Sequence, residues 1–510
     1  MHLLETTNAK ALINRAFAAI APGALPRAFL CLCLLCVAST GFTDSGPATV
    51  SDFSSCTVGG DAISLTAQCA TATVSFSYEE GDDRTLDLHL ARIPARQTPA
   101  KQDPLVLLAG GPGQSATESF PALIHAFRKI NKTRDLILLD QRGTGSSHRL
   151  DCEASVPGDD LEFDSAVVRA HSETCLQAQT LDTRYFTTSI AVRDLESIRK
   201  LLNVQTWNIY GISYGTRVAI HYMRRYPQAV RTAILDAVVP PQITLGADVA
   251  VHAQQALDKL YARCNASADC ATAFPELEQR TQQLLAQLQT NPVAVDYEDV
   301  STGTIRNLEL TNKHLAITLR LMTYSAYGVA ILPSMLFDAY ENNNYAPLAR
   351  QAMMQTGSLG STIATGLHNA IICTEDAPDQ ISDAQRNAAA NTYLGAEIVD
   401  ALHANCEPWP VGIMDSDFKD PLVSDIPTLI LSGASDPITP AGYGDLLAET
   451  LGSTLHIVNE HQGHMQMPLG CVPRLMALVV DSGSVSEIDS TCLDRLYAPA
   501  FFIDANGPQP

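Results

Sequence analysis

Short apolar runs alternate with amphipathic stretches along the chain. Segments 105–108 (LVLL), 136–139 (LILL), 206–210 (TWNIY), 232–235 (TAIL), 428–431 (TLIL) and 454–458 (TLHIV) read as buried strands. Segments 72–78 and 86–93 read as an early antiparallel pair. Between them, 190–202 puts Leu195, Ile198, Leu201 and Leu202 on one helical face. Segment 214–226 does the same with Val218, Ala219, Tyr222 and Met223, and Pro227 ends it. Continuous apolar strands separated by helices predict an α/β fold, a mostly parallel central sheet covered on both faces. From 243 to 419 the pattern changes: Ala, Leu and Gln dominate, helical periodicity takes over, and strand-like runs flank the stretch. This predicts a helical cap inserted into the sheet domain. The expected organisation is a leader at 1–41, the first part of the core at 42–242, the helical cap insertion at 243–419 and the C-terminal part of the core at 420–510.

The leader is read from residues 28–38 (AFLCLCLLCVA), preceded by Arg15 and Arg27 and followed by Ala38, Ser39, Thr40 and Gly41. A short apolar run with basic residues before it and small ones after it is a secretory signal, with cleavage expected near 39–41. It is too short for a comfortable membrane helix. No other stretch is long and apolar enough, so the mature protein is expected to have no stable membrane span. Ten cysteines follow the leader: Cys56, Cys69, Cys152, Cys175, Cys264, Cys270, Cys373, Cys406, Cys471 and Cys492. They fall into five local couples, and nearest-neighbour disulfides are expected in an oxidising compartment, secreted or periplasmic. Past the leader, tight CxxC and HxxxH spacings are missing, so no zinc site is expected.

Composition narrows the partners. The chain has 510 residues, 46% of them hydrophobic, which suits a large folded core and not a disordered chain. Against 55 acidic residues stand 33 Lys and Arg, a net charge of -22. A protein that grips phosphate backbones carries the opposite excess, so nucleic acid is not an expected partner. Nothing in the pattern sets an oligomeric state.

The chemistry centres on Gly211-Ile212-Ser213-Tyr214-Gly215, which follows one strand run and opens a helix. A sharp strand-to-helix turn crowds any side chain beside the serine, so glycines flank it, and the turn thrusts Ser213 out at the carboxyl edge of the sheet. A serine hydroxyl needs a base, and the base an orienting carboxylate. In this fold class the order is Ser, Asp, His. Asp436 lies in Ser435-Asp436-Pro437-Ile438-Thr439-Pro440, after the TLIL run, and His464 in Gly463-His464-Met465, after TLHIV. His461 is a rival three residues earlier. An oxyanion hole needs two backbone N–H groups: one from Tyr214, the other from Gly110 or Gly111 in Ala109-Gly110-Gly111-Pro112-Gly113, the loop after LVLL. No cofactor is expected.

The set GGPG, Asp140-Gln141-Arg142-Gly143-Thr144-Gly145-Ser146, GISYG, SDPITP and GHM resembles the prolyl iminopeptidase and tripeptidyl-aminopeptidase branch of the α/β-hydrolases. The likeness spans nearly the whole chain past the leader. Prolyl iminopeptidases typically place a His where this chain has Ala109. Size, export and cysteines lean towards the secreted tripeptidyl-aminopeptidase-like members. The resemblance implies an α/β-hydrolase fold and a serine aminopeptidase acting on peptides with a free N-terminus. Ser213 would be nucleophile, His464 base and then acid, and Asp436 its orienter. Arg142 is expected to brace loops. Glu375 and Asp376, in the cap, are the candidates for the substrate's ammonium group, since buried carboxylates hold a cation by charge-assisted hydrogen bonds. A carboxylesterase or lipase-like hydrolase with the same triad is the alternative.

Overall fold

The computed structural model describes residues 48–510 except 61–62, 153–163, 247, 378–380, 505 and 509–510. The expected leader lies outside the described residues. A ten-stranded sheet organises the rest. Its strands are β1 (Thr49–Val50), β2 (Ser54–Gly59), β3 (Ser64–Ser75), β4 (Thr85–Ile93), β5 (Leu105–Leu108), β6 (Leu136–Leu139), β7 (Trp207–Ile212) and β8 (Val230–Asp236). A small hairpin, β9 (Val293–Glu298) and β10 (Ile305–Leu310), stands apart, and β11 (Thr428–Gly433) and β12 (Thr454–Asn459) complete the sheet. The spatial order is β1-β3-β4-β6-β5-β7-β8-β11-β12, with β2 on β3. From β6 to β12 every pairing is parallel, while β1 to β4 add an antiparallel wing.

Side-chain chemistry explains the centre. Every residue of β5, β6, β7 and β11 is buried, as strands covered on both faces require. Four helices matter below: α1 (Thr188–Leu201), α2 (Tyr214–Arg225), α3 (Thr365–Glu375) and α4 (Ala441–Ala448). The Thr187 side chain caps α1 by accepting the Ile190 N–H. Arg142 joins α1 to the wing: it forks onto Asp194 at 2.6 Å through two nitrogens and donates to the carbonyls of Ser75, Phe76 and Tyr185. This is the bracing role expected of it.

Two elements differ from the sequence reading. The early pair is antiparallel, but β3 begins at Ser64, eight residues before the expected start at 72. Its first half, SLTAQCA, carries small and polar residues on an edge held by the Cys56–Cys69 disulfide, so hydrophobic pattern alone does not reveal it. The inserted stretch, read as helical, also contains the β9–β10 hairpin, where buried Val295 and Tyr297 alternate with exposed neighbours at period two. Among the described residues the ten cysteines pair as nearest neighbours: Cys56–Cys69, Cys152–Cys175, Cys264–Cys270, Cys373–Cys406 and Cys471–Cys492. No described helix is long and apolar enough to cross a membrane.

Candidate active site

The site forms where β5, β7, β8, β11 and β12 end. Strand β7 runs into Ser213, whose backbone is at φ 53°, ψ -125° before α2 begins. A non-glycine residue in that region is strained and persists only where its surroundings fix it. The Ser213 N–H donates to the Asp236 carbonyl at 2.9 Å, and its own carbonyl accepts from the Thr216 N–H and hydroxyl. Glycine is required on both sides. A Cβ on Gly211 would run into the main chain of Gly215, and one on Gly215 into the carbonyls of Leu108 and Ala109.

The loop after β5 presses against this turn. A Cβ on Gly110 would lie 3.2 Å from Ser213 Cβ and 3.4 Å from the Ile212 carbonyl. Gly111 and Gly113 adopt φ of 106° and 107°, open to glycine and costly for other residues. The loop is held from both sides. Asp140, fully buried, accepts from the Ser115 hydroxyl, the Thr117 N–H and hydroxyl, and the Ser146 N–H. Across the loop, the Ala364 N–H donates to the Gly113 carbonyl at 2.9 Å and the His368 ring contacts the Pro112 carbonyl. Gly110, Gly111 and Tyr214 are therefore neighbours of the Ser213 turn. Tyr214 buries its phenol against Thr188 and Gln141, and burial drives its pKa up.

Asp436 and His464 meet on the next two loops. Asp436 accepts four hydrogen bonds: from the Ile438 and Thr439 N–H groups at 2.9 Å, the Thr439 hydroxyl at 2.7 Å, and His464 Nδ1 at 2.8 Å. Burial works to raise this carboxyl. The His464 charge, its hydrogen bond and the Thr439 and Ile438 amides outweigh burial and hold it below its ordinary value. The imidazole is pulled the other way. Burial lowers it, but the Asp436 charge and hydrogen bond hold it above its ordinary value, and the Asp236 charge adds to this. The two loops are stitched by Ala434 N–H to the Asn459 carbonyl and Ser435 N–H to the Gln462 carbonyl. Gly463 is forced: a Cβ there would fall on the carbonyls of Thr323 and Tyr324. Tyr324 also accepts the His464 N–H at 2.9 Å and sets its ring edge-on at 5.2 Å. The rival, His461, is exposed at a positive φ, away from this contact set.

Glu375 and Asp376 form a buried cluster with Arg217. Asp376 takes Arg217 at 2.9 and 3.1 Å and the Leu245 N–H at 2.8 Å. Glu375 accepts the Thr188 N–H and hydroxyl, with Arg217 at 3.7 Å. Both carboxylates are buried and share one cation: Arg217 hydrogen-bonds Asp376 and stands 3.7 Å from Glu375, so two acids face a single guanidinium. Burial pushes Glu375 up to about 7, against the pull of Arg217. What this cluster does visibly is fasten the end of α3 to α2.

The sequence reading missed Asp236, Thr439 and Tyr324. Asp236 had a usable signal, a lone carboxylate closing an apolar strand run. Thr439 stands three residues after Asp436, where a side-chain-capped turn places a hydroxyl. Tyr324 had none, because a segment more than a hundred residues away supplies the contact.

Residues 103–293 match the family model described as alpha/beta hydrolase fold, and residues 391–492 match that described as TAP-like protein. Serine protease Hip1 of Mycobacterium tuberculosis is 26% identical over 433 residues, which cover 76% of this chain and 80% of that protein. Tripeptidyl aminopeptidase of Streptomyces lividans is 25% identical over 361 residues, 67% of this chain and 61% of that protein. Carboxylesterase B of Mycobacterium tuberculosis is 25% identical over 435 residues, 76% of this chain and 79% of that protein. The first matched stretch carries the Ser213 turn and the second the Asp436 and His464 loops, on one parallel sheet. The chain has the α/β-hydrolase fold and is a hydrolase similar to the tripeptidyl-aminopeptidase-like serine peptidases.

Proposed function

We propose that the protein is an exported serine aminopeptidase that cleaves peptide bonds near free N-termini through an acyl-enzyme on Ser213. The observation that carries the reading is the strained Ser213 turn, pressed against Gly110 and followed on the sheet by the Asp436–His464 pair. His464 takes the Ser213 proton as the hydroxyl attacks the carbonyl carbon. The developing oxyanion is received by the Tyr214 N–H and by that of Gly110 or Gly111. His464 then gives its proton to the leaving amine. Water, activated by the same imidazole, releases the acyl group. Asp436 fixes the ring and favours the imidazolium formed in both steps.

Peptide chemistry is supported by the names of the serine protease and tripeptidyl aminopeptidase relatives. Export is supported by the leader pattern and the five disulfides. Glu375 and Asp376 anchor the cap segment on α2 through Arg217, and because the two acids outnumber that one cation they stay the candidates for the substrate's ammonium group. The carboxylesterase alternative uses the same three residues and is favoured by the carboxylesterase B relative.

A substrate panel tests the reading. It holds chromogenic free-amine Pro and tripeptide derivatives, their N-blocked forms and a short-chain ester. Turnover of free-amine peptides with rejection of the blocked forms is expected. Ester turnover without amide turnover moves the protein to the esterases, and turnover of blocked peptides removes the aminopeptidase assignment.

A further inference from the structure

The last residue of β8 serves two loops at once. Asp236 is fully buried. Its carbonyl accepts the Ser213 N–H at 2.9 Å. Its carboxylate accepts the Gln466 N–H at 2.8 Å, the Met467 N–H at 2.8 Å and the Tyr210 hydroxyl at 2.9 Å. Met465 adopts φ 78°, so the chain turns directly after His464 and aims two consecutive amides at one carboxylate. A single residue thus holds the serine turn through its main chain and the histidine loop through its side chain.

The charge is the informative part. Two amides and a phenol need only an acceptor, and a neutral one would satisfy them at lower desolvation cost. A carboxylate adds a negative charge facing His464; burial pushes the Asp236 carboxyl up to about 6, so that charge is present above this pH and fades below it. The ionisable groups around the imidazole are Asp436 from the loop after β11 and Asp236 from β8, with the Tyr324 ring beside it. Those facing Asp236 are Tyr210 from β7 and His464 itself.

We infer that Asp236 is a positioning residue that sets the spacing of the Ser213 turn and the His464 loop and places a second negative charge behind the imidazole. This rests on the proposed roles of Ser213 and His464. Asp236 touches no reacting atom. It acts through the two groups that do.

The experiment compares Asp236→Asn, Tyr210→Phe, Ser213→Ala and the unaltered protein. The measurements are kcat and KM on the best panel substrate, the pH profile of kcat/KM, thermal unfolding, and covalent labelling by a fluorophosphonate. D236N keeps the size but loses the charge and one acceptor oxygen. Its kcat is expected to fall by about 10²-fold, the scale of a ~1 Å misplacement of reacting groups. KM should stay within about twofold, because the lost interaction is made in the transition state. The acid limb should move to lower pH, because the imidazolium loses a stabilising charge. A purely structural contact would leave that limb where it is. A folded D236N with unchanged kcat, or with an unmoved limb, overturns the inference. If D236N does not fold, Y210F decides: it keeps the charge and both amides, and a several-fold fall in kcat at constant KM is expected, whereas unchanged kcat overturns it. Labelling separates the two levels. If S213A labels as fast as the unaltered protein, the Ser213 reading fails. If labelling requires Ser213 and D236N behaves as the unaltered protein, only the Asp236 inference fails.

Discussion

Ser213, His464 and Asp436 lie where the strands end, while Ser432, His456 and Asp445 form a second serine–histidine–aspartate chain one layer away. In the second chain His456 Nε2 meets the Ser432 hydroxyl at 2.9 Å and Nδ1 meets Asp445 at 2.9 Å. By these distances alone it is the more complete relay, since His464 meets Asp436 at 2.8 Å but Ser213 Oγ makes no hydrogen bond to His464 among the described residues. The surroundings differ. Ser432 is inside β11, 1% exposed, and roofed by Gly444 of α4. Ser213 stands outside its strand on a strained backbone, half-buried, beside Gly110. The acids differ as well: the Asp436 side chain has no exposure and four donors, whereas Asp445 is 70% exposed. Accordingly burial wins at His456 and lowers its pKa, while Asp436 wins at His464 and raises it. Hydrogen-bonded serine, histidine and aspartate are common furniture of a sheet. A reactive set also needs an accessible serine, donors for an oxyanion and a buried acid.

The sharpest break of this comparison is at the serines. Ser213→Ala should lower kcat by about 10⁶-fold, the scale seen when a triad serine is removed. Ser432→Ala should leave kcat/KM within about twofold and act on stability, at about 1–3 kcal/mol, because it strands a buried His456 nitrogen. Saturation kinetics and thermal unfolding on both variants check this. Appreciable turnover by S213A would dissolve the contrast. The acids come next. Asp436→Asn should cost about 10⁴-fold in kcat. It should also shift the acid limb of kcat/KM. The base must be neutral, so activity falls as pH drops through the His464 pKa, which Asp436 holds above its ordinary value. Removing that charge moves the limb to lower pH. Asp445→Asn should leave both kcat and the limb unchanged, since Asp445 is exposed and touches His456 and not His464. A limb that follows D445N and ignores D436N would assign the titration to the wrong histidine.

Much of this was legible in the sequence, for physical reasons. Buried parallel strands are apolar throughout, so LVLL, LILL and TLIL announce themselves, and the glycines of GISYG are dictated by main-chain contacts within the turn and with β5. The disulfide couples were legible because each partner is near in sequence. Tertiary satisfaction of charge was not. Nothing local to Glu375 and Asp376 shows that Arg217, more than 150 residues earlier, lies between them. The second relay is the converse case, since Ser432, His456 and Asp445 carry no motif and meet only through β11, β12 and α4.

The smallest effect is the most discriminating, because it separates a wall of backbone from a wall of side chains. A Cβ on Gly215 would meet the main-chain oxygens of Leu108 and Ala109, the end of β5, which cannot turn aside. Gly215→Ala should push the Gly110 loop off the Ser213 turn and reduce kcat by about 10²-fold through misaligned oxyanion donors. A Cβ on Gly444 would instead meet His456 Nε2 at 2.5 Å and Ser432 Oγ at 3.0 Å, the tips of side chains. Gly444→Ala should rotate His456 off Ser432 and cost about 1–3 kcal/mol of stability as overpacking does, with kcat unaltered. The two variants add the same methyl group to the same fold, so equal losses of kcat would mean that the second relay communicates with the first through β11. A loss confined to G215A would mean that reactivity resides in the walls around a serine and not in its hydrogen bond to a histidine.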